Sequence, residues 1–153
     1  MIDTPLPGGF DVAHLKAIHR YIFQDVYDWA GQFRTVNLSK GGHLFGLATF
    51  LGPALQQILA RLATEKHLVG LDAEMFANRA AYFFSELNAA HPFREGNGRT
   101  QREFIRELGM KAGYYIDWRA TTVEEMTEAS RLSHLSGELS RFADLIRECI
   151  RST

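Results

Sequence analysis

The stretch His91-Pro92-Phe93-Arg94-Glu95-Gly96-Asn97-Gly98-Arg99-Thr100-Gln101-Arg102 decides how this chain is read. Pro92 disfavours helical geometry in the residue before it, so the helix that leads into His91 must stop there. A short polar loop, Arg94 to Gly98, then opens a new helix holding Phe104, Ile105 and Leu108. A glycine loop at a helix start exposes unpaired main-chain N–H groups at the positive end of a helix dipole, which makes an anion site. Gly96 and Gly98 have no Cβ and let an anion approach the backbone closely. Arg99 and Arg102 stand three apart and face one ligand, a pattern that suits a polyphosphate. Glu95 places a carboxylate inside this positive site, where its simplest use is to hold a Mg²⁺ that bridges phosphate oxygens. His91 sits at the lip with an ordinary pKa near neutrality, suited to take a proton from an incoming hydroxyl. On spacing alone the same string also fits a helix-end histidine, a glycine turn and a solvated Glu/Arg face.

Upstream, Phe76, Ala80, Phe83, Phe84 and Leu87 form a wide apolar stripe on a helix from Asp72 to Ala90, which reads as core. A helix from about Phe50 to Thr64 precedes it, with Pro53 tolerable in the first turn. From Phe33 to Leu38 the residues alternate, and Ser39-Lys40-Gly41-Gly42 follows as a turn, so a strand or hairpin is expected there. Asp11 is an N-cap, Phe10 and Leu15 form a staple, and Leu15, Ile18, Ile22 and Val26 line one face of a first helix ending near Trp29-Ala30-Gly31. Met1 to Gly9 is a loose lead-in. Downstream, Gly113 stops the helix after the loop, and Thr122 with Glu125 makes a capping box for the next. A last helix is expected from Glu138 to Ile150. The fold class is therefore mainly α with one small β-hairpin, in a single domain over 1–153.

The central string resembles the signature of the Fic family, His-x-Phe-x-(Asp/Glu)-Gly-Asn-Gly-Arg-x-x-Arg, at every fixed position. Asp28-Trp29-Ala30-Gly31 and Arg34 to Gly42 look like that family's lead into its flap, and the likeness runs from about Phe10 to the end. The resemblance implies a Fic-type helical bundle that transfers AMP from ATP to a Ser, Thr or Tyr hydroxyl of a target protein. It implies His91 as general base and Glu95 as Mg²⁺ holder. Gly96, Asn97 and Gly98 would cradle the phosphates, with Asn97 reaching the α-phosphate. Arg99 would neutralise the departing pyrophosphate, and Arg102 would take the terminal phosphate. Phe93 would anchor the loop in the core. The flap, about 33–46, would register the target's backbone by strand addition through Lys40, Gly41, Gly42, His43 and Phe45.

The Doc branch, which is similar but kinase-like, carries lysine where this chain has Gly98 and alanine where it has Gly96, so AMP transfer is expected. The family's inhibitory (Ser/Thr)-x-x-x-Glu-(Gly/Asn) string is not found. Thr121 to Glu125 comes nearest but is followed by Met126, and only about ten residues precede the first helix. Inhibition is expected from a separate antitoxin-like protein that presents a glutamate to Arg102. Readings from other classes are a silent nucleotide- or partner-binding module and an enzyme using another donor.

Composition sets the outer limits. With 17 basic and 18 acidic side chains in 153 residues, the net charge of −1 gives no basic excess for nucleic acid. No apolar run approaches 18 residues and no basic-then-apolar leader is present, so a cytoplasmic protein is expected, a role as a secreted effector being compatible. Cys149 is the single cysteine, read as a small buried hydrophobe, and the histidines outside the motif lack zinc-site spacing. Arg106, flanked by Glu103 and Glu107, is expected on a solvated, salt-bridged face.

Overall fold

The computed structural model describes residues 8–151; most of the expected lead-in, Met1 to Pro7, lies outside the described residues. Six helices and four two-residue strands are found among them: α1 Val12–Phe23, β1 Ser39–Lys40, β2 His43–Leu44, α2 Leu51–Thr64, α3 Ala73–Ala90, α4 Asn97–Ala112, β3 Tyr115–Ile116, α5 Val123–Ser136, α6 Ser140–Cys149 and β4 Ile150–Arg151.

Helix α3 is the axis of the bundle, and α2, α4, α5 and α6 all pack against it. Its sequence explains the position. Phe76, Phe83, Phe84 and Leu87 are fully buried, and so are Ala77, Ala80 and Ala81, whose small side chains admit neighbouring helices on more than one side. Asp72 caps its start by accepting from the Met75 N–H at 2.8 Å. Phe84 stacks on Phe142 of α6 with ring centroids 4.4 Å apart. Each such buried phenylalanine contributes about 1.5–3 kcal/mol. Helix α1 lies across α2 and α4, with Leu15 and Ile18 buried beneath it.

Several expectations need correction. Helix α1 stops at Phe23 and not near Gly31, and Val26 is 67% exposed, outside the core. The chain instead bends back, because the Gly31 N–H finds a better partner in His19 Nδ1 at 2.8 Å. The alternating run Phe33 to Leu38 is not a strand; Arg34 fastens it to the end of α3 and no strand lies alongside. The hairpin lies later, with Ser39 opposite Leu44 and Lys40 opposite His43. Gly41 and Gly42 form its two-residue turn at φ +59° and +79°, which the twist of a tight hairpin requires. Finally, the hairpin is accompanied by a second antiparallel pair, β3 with β4, which fastens the segment after α6 beside α4.

Smaller features follow the sequence. Thr122 accepts from the Glu125 N–H at 3.1 Å, the N-cap half of the expected capping box, while the Glu125 carboxylate meets the Thr122 hydroxyl, and Gly113 ends α4 at φ +93°. Helix α6 is shorter than expected at its start, where the Glu138 carboxylate accepts from the Ser140 N–H at 3.0 Å. Cys149 is buried, which pushes its thiol up to about 11. Arg106 departs from expectation: it is buried, and its guanidinium pairs with Glu103 inside the α4 interface, not on a solvated face.

Candidate active site

Helix α3 ends as Pro92 requires. His91 keeps its N–H on the Leu87 carbonyl at 2.9 Å but turns to φ +46°, ψ +60°, the left-handed region, and so leaves the helix axis. The last carbonyls of α3 are then met by one side chain. Arg34, 2% exposed, donates from Nε to the His91 carbonyl at 2.7 Å and from Nη2 to the Ala90 carbonyl at 3.0 Å. A cation at this end also satisfies the helix dipole. The same guanidinium reaches the Val36 and Gly46 carbonyls, so the two arms of the flap hang from the helix end. Arg34 was not singled out from the sequence as a site residue; the available signal was a lone arginine inside an alternating run.

The His91 ring lies flat on Phe45, with centroids 3.9 Å apart and 11° between planes, and Phe45 stacks in turn on His134 of α5 at 4.2 Å. Burial pulls the His91 pKa down to about 4, helped by the charge of Arg34 and, less, by His134 and Lys40; the Asn88 carbonyl works the other way. Nδ1 is buried without a hydrogen bond of good geometry. His91 is therefore a neutral imidazole at physiological pH, the protonation state a general base needs.

The loop after it is clasped from within. Phe93, 1% exposed, has its N–H accepted by Asn97 Oδ1 at 2.9 Å and its carbonyl bonded by Asn97 Nδ2 at 2.7 Å. The amide of Asn97 thus holds the loop shut, and the place left to it for an anion is its main-chain N–H in the first turn of α4. His19, on α1, stacks on Phe93 at 3.9 Å and donates from Nε2 to the Glu95 carbonyl at 3.0 Å. Gly96 sits at φ +81°, where a Cβ would lie 2.3 Å from the Phe23 ring.

A cleft of about 440 Å³ opens beside this loop. Its wall gathers His91, Gly98 and Arg102 of the motif and Lys40, Gly41 and Phe45 of the hairpin. It also takes in residues that sequence reasoning did not select: Phe84 and Asn88 of α3, Gln101 of α4, and Met126, Thr127, Ser130, Arg131, His134 and Leu135 of α5. A helix contributes to a cleft by its face, and α5 has a weak apolar stripe that gave no separate signal. Gly42 and His43 lie at the exposed hairpin turn and are not in the wall. Glu95, Gly96, Asn97 and Arg99 are not in it either. Glu95 and Arg99 are exposed, the Glu95 carboxylate accepting from the Tyr27 hydroxyl at 2.6 Å and the Arg99 guanidinium lying 5.8 Å over the Phe23 ring. Burial and the like charge of Arg99 both press against the charge of Arg102. Among the described residues no cluster of three or more His, Cys, Asp or Glu could hold a metal, which leaves Glu95 as a single carboxylate next to the α4 N-terminus.

Known proteins share this sequence and fold. Over 148 residues the chain is 47% identical to "Protein adenylyltransferase VbhT" of Bartonella schoenbuchensis, covering 97% of this chain and 30% of that protein. The structure matches BepC of Bartonella tribocorum, solved with bound AMPPNP, at a TM-score of 0.92 and 30% identity, covering 99% of this chain and 79% of that one. It matches the N-terminal Fic domain of a Bep effector of Bartonella quintana, solved with bound ADP, at 0.93 and 34% identity, covering 98% and 77%. The chain thus spans less than a third of VbhT. Residues 9–108, which hold α1, the hairpin, the loop and most of α4, match the family model described as Fic/DOC family, and the chain belongs to that family.

Proposed function

We propose that the chain is a protein adenylyltransferase that moves AMP from ATP to a Ser, Thr or Tyr hydroxyl of a target protein. The observation that carries this reading is the shared cleft: a neutral His91, the glycine at the start of α4, the half-buried Arg102 and the edge of a hairpin all face one space. The relatives named adenylyltransferases and the nucleotide-bound neighbours support it.

In the transfer, the target's hydroxyl oxygen bonds to the α-phosphorus while the bond from that phosphorus to the α,β-bridging oxygen breaks. His91 takes the hydroxyl proton, and pyrophosphate leaves. Gly96, Asn97 and Gly98 offer their main-chain N–H groups to the phosphates at the α4 N-terminus. Arg99 neutralises charge on the leaving group and Arg102 holds the terminal phosphate, so positioning and electrostatics supply most of the catalysis. Mg²⁺ fits here because it takes one or two carboxylates and completes its shell with phosphate oxygens, and Glu95 offers one exposed carboxylate. When bound, the ion screens the charge between phosphates. Lys40 to Phe45 register the target strand beside His91 by backbone pairing.

Two further roles belong to this reading. A separate small antitoxin presents a glutamate to Arg102 and silences the site; equal activity of the chain with and without the product of a neighbouring gene would sink that idea. The reaction takes place in the cytoplasm of the producing cell or of a cell the protein is delivered to. No helix among the described residues is long and apolar enough to cross a membrane.

The test is incubation of the purified chain with Mg²⁺, cell lysate and ATP labelled at the α- or the γ-phosphate, beside His91→Ala. Label on a protein from α but not γ, lost in the variant, is expected. Label from γ overturns the reading in favour of a kinase. Absence of label despite ATP binding overturns it in favour of a silent binding module or another donor.

A further inference from the structure

Tyr27 has no part in the roles above, yet it holds one of their residues. Its hydroxyl donates to Glu95 Oε2 at 2.6 Å across a separation of 68 residues. Its ring is fixed by others: Trp29 stacks on it with centroids 4.3 Å apart and planes 12° apart, and Phe23 leans on it at 5.7 Å. At the other end of the same glutamate, the main-chain carbonyl is held by His19, whose second ring nitrogen accepts the Gly31 N–H. Helix α1 and the bend after it therefore grip Glu95 twice, His19 by the backbone and Tyr27 by the carboxylate. A surface glutamate on a loop ordinarily has several rotamers open to it, and freezing them costs free energy on ligand binding. Here that cost is met in advance. Tyr27 occupies Oε2, and the carboxylate keeps Oε1 as a second acceptor.

We propose that Tyr27 is a positioning residue for the Glu95 carboxylate, orienting it toward the metal that accompanies the nucleotide. This rests on the reading of Glu95 as the Mg²⁺ holder. Groups that hydrogen-bond a metal-ligating carboxylate commonly set its orientation, and their loss weakens metal affinity about 10- to 100-fold. The competing explanation is that the bond is an incidental surface contact and that Tyr27 serves only through its stacked ring.

Tyr27→Phe separates the two, because it keeps the ring and removes only the donor. Binding of AMPPNP to the chain is measured by titration calorimetry without Mg²⁺ and at rising Mg²⁺, for wild type, Tyr27→Phe and Glu95→Gln, with melting temperatures alongside. In Tyr27→Phe the Mg²⁺ concentration needed for half of the metal-dependent gain rises about 10-fold or more. Metal-free AMPPNP affinity and the melting temperature stay at the wild-type value. In turnover assays the same variant shows a raised KM for Mg²⁺ with kcat restored at saturating metal. A wild-type Mg²⁺ dependence in Tyr27→Phe, with the dependence lost in Glu95→Gln, overturns the proposal and leaves the Glu95 assignment standing. A wild-type dependence in Glu95→Gln overturns that assignment, and the proposal with it.

Discussion

Gly96→Ala puts the tightest point of the loop under test. The residue sits at φ +81°, and holding alanine there costs about 1–2 kcal/mol. The new methyl would lie 2.3 Å from Phe23 Cε2 and 2.4 Å from Cζ, well inside the roughly 3.5–4.0 Å at which carbon atoms rest. The ring cannot swing away freely, since it is buried and packed on His19 and Tyr27 at 4.8 and 5.7 Å. Overpacking of this kind costs about 1–3 kcal/mol. The two contributions add to about 2–5 kcal/mol, which at about 2–4 °C per kcal/mol for a chain of this size lowers Tm by roughly 10 °C. Urea and thermal denaturation measure the loss. Repeating the substitution in a Phe23→Leu background divides it: the steric part, about 1–3 kcal/mol, disappears as a coupling energy between the two sites, and the backbone part stays. A Gly96→Ala variant within about 0.5 kcal/mol of wild type, or one that costs the same with and without the Phe23 ring, would refute the reasoning.

Arg34→Lys should destabilise the chain although it keeps the charge. A single ammonium does not span the His91, Ala90, Val36 and Gly46 carbonyls, and each buried carbonyl left unpaired costs about 1–3 kcal/mol; urea denaturation reads the loss, and hydrogen exchange should show the hairpin loosening first. His91 titrates near pH 4 in the free protein, to be followed by its ring-proton NMR signals, and Arg34→Met moves that midpoint upward because a nearby positive charge is gone. The folded-state pKa of His91 lies below the usual value of about 6.5, so the unfolded chain binds the extra proton first. Its contribution to stability is complete above pH 6.5 and is lost as pH falls toward 4, and His91→Gln should flatten the stability profile across that window.

The parts legible in the sequence are those set by rules acting over a few residues. Pro92 fixed the end of α3, Thr122 and Glu125 the start of α5, and Asp72 the start of α3, each through one local hydrogen-bonding or steric requirement. The motif loop was legible for the same reason, as a run of twelve consecutive residues. What escaped depends on partners far away in sequence. The bend that ends α1 is decided by His19 accepting from Gly31 while it donates to Glu95, 76 residues on, and no local pattern around Val26 reports either bond. The pairing of β3 with β4 joins Ile116 to Ile150, two residues that carry no strand signal by themselves. Asn97 was legible as part of the motif but not as the clasp on Phe93, because an asparagine looks alike whether it faces a ligand or its own loop.

Arg34 shows why the most informative residue for mechanism was also the least visible. A buried guanidinium costs a great deal unless its donors are met, and here main-chain carbonyls meet them. Those carbonyls come from the end of α3 and from both arms of the flap, so the flap's position and the left-handed turn of His91 are one structural fact. The same charge, held close to the imidazole, helps to keep His91 unprotonated. If the hairpin registers a target strand, then the group that fixes the hairpin also contributes to the state of the base that receives the target's proton. Loss of Arg34 then disturbs the positioning of the acceptor and raises the His91 pKa, while burial, the larger cause, still favours the neutral ring. On the roles proposed for them, loss of Arg99 or Arg102 would weaken the hold on the phosphates and leave the hairpin's anchor intact.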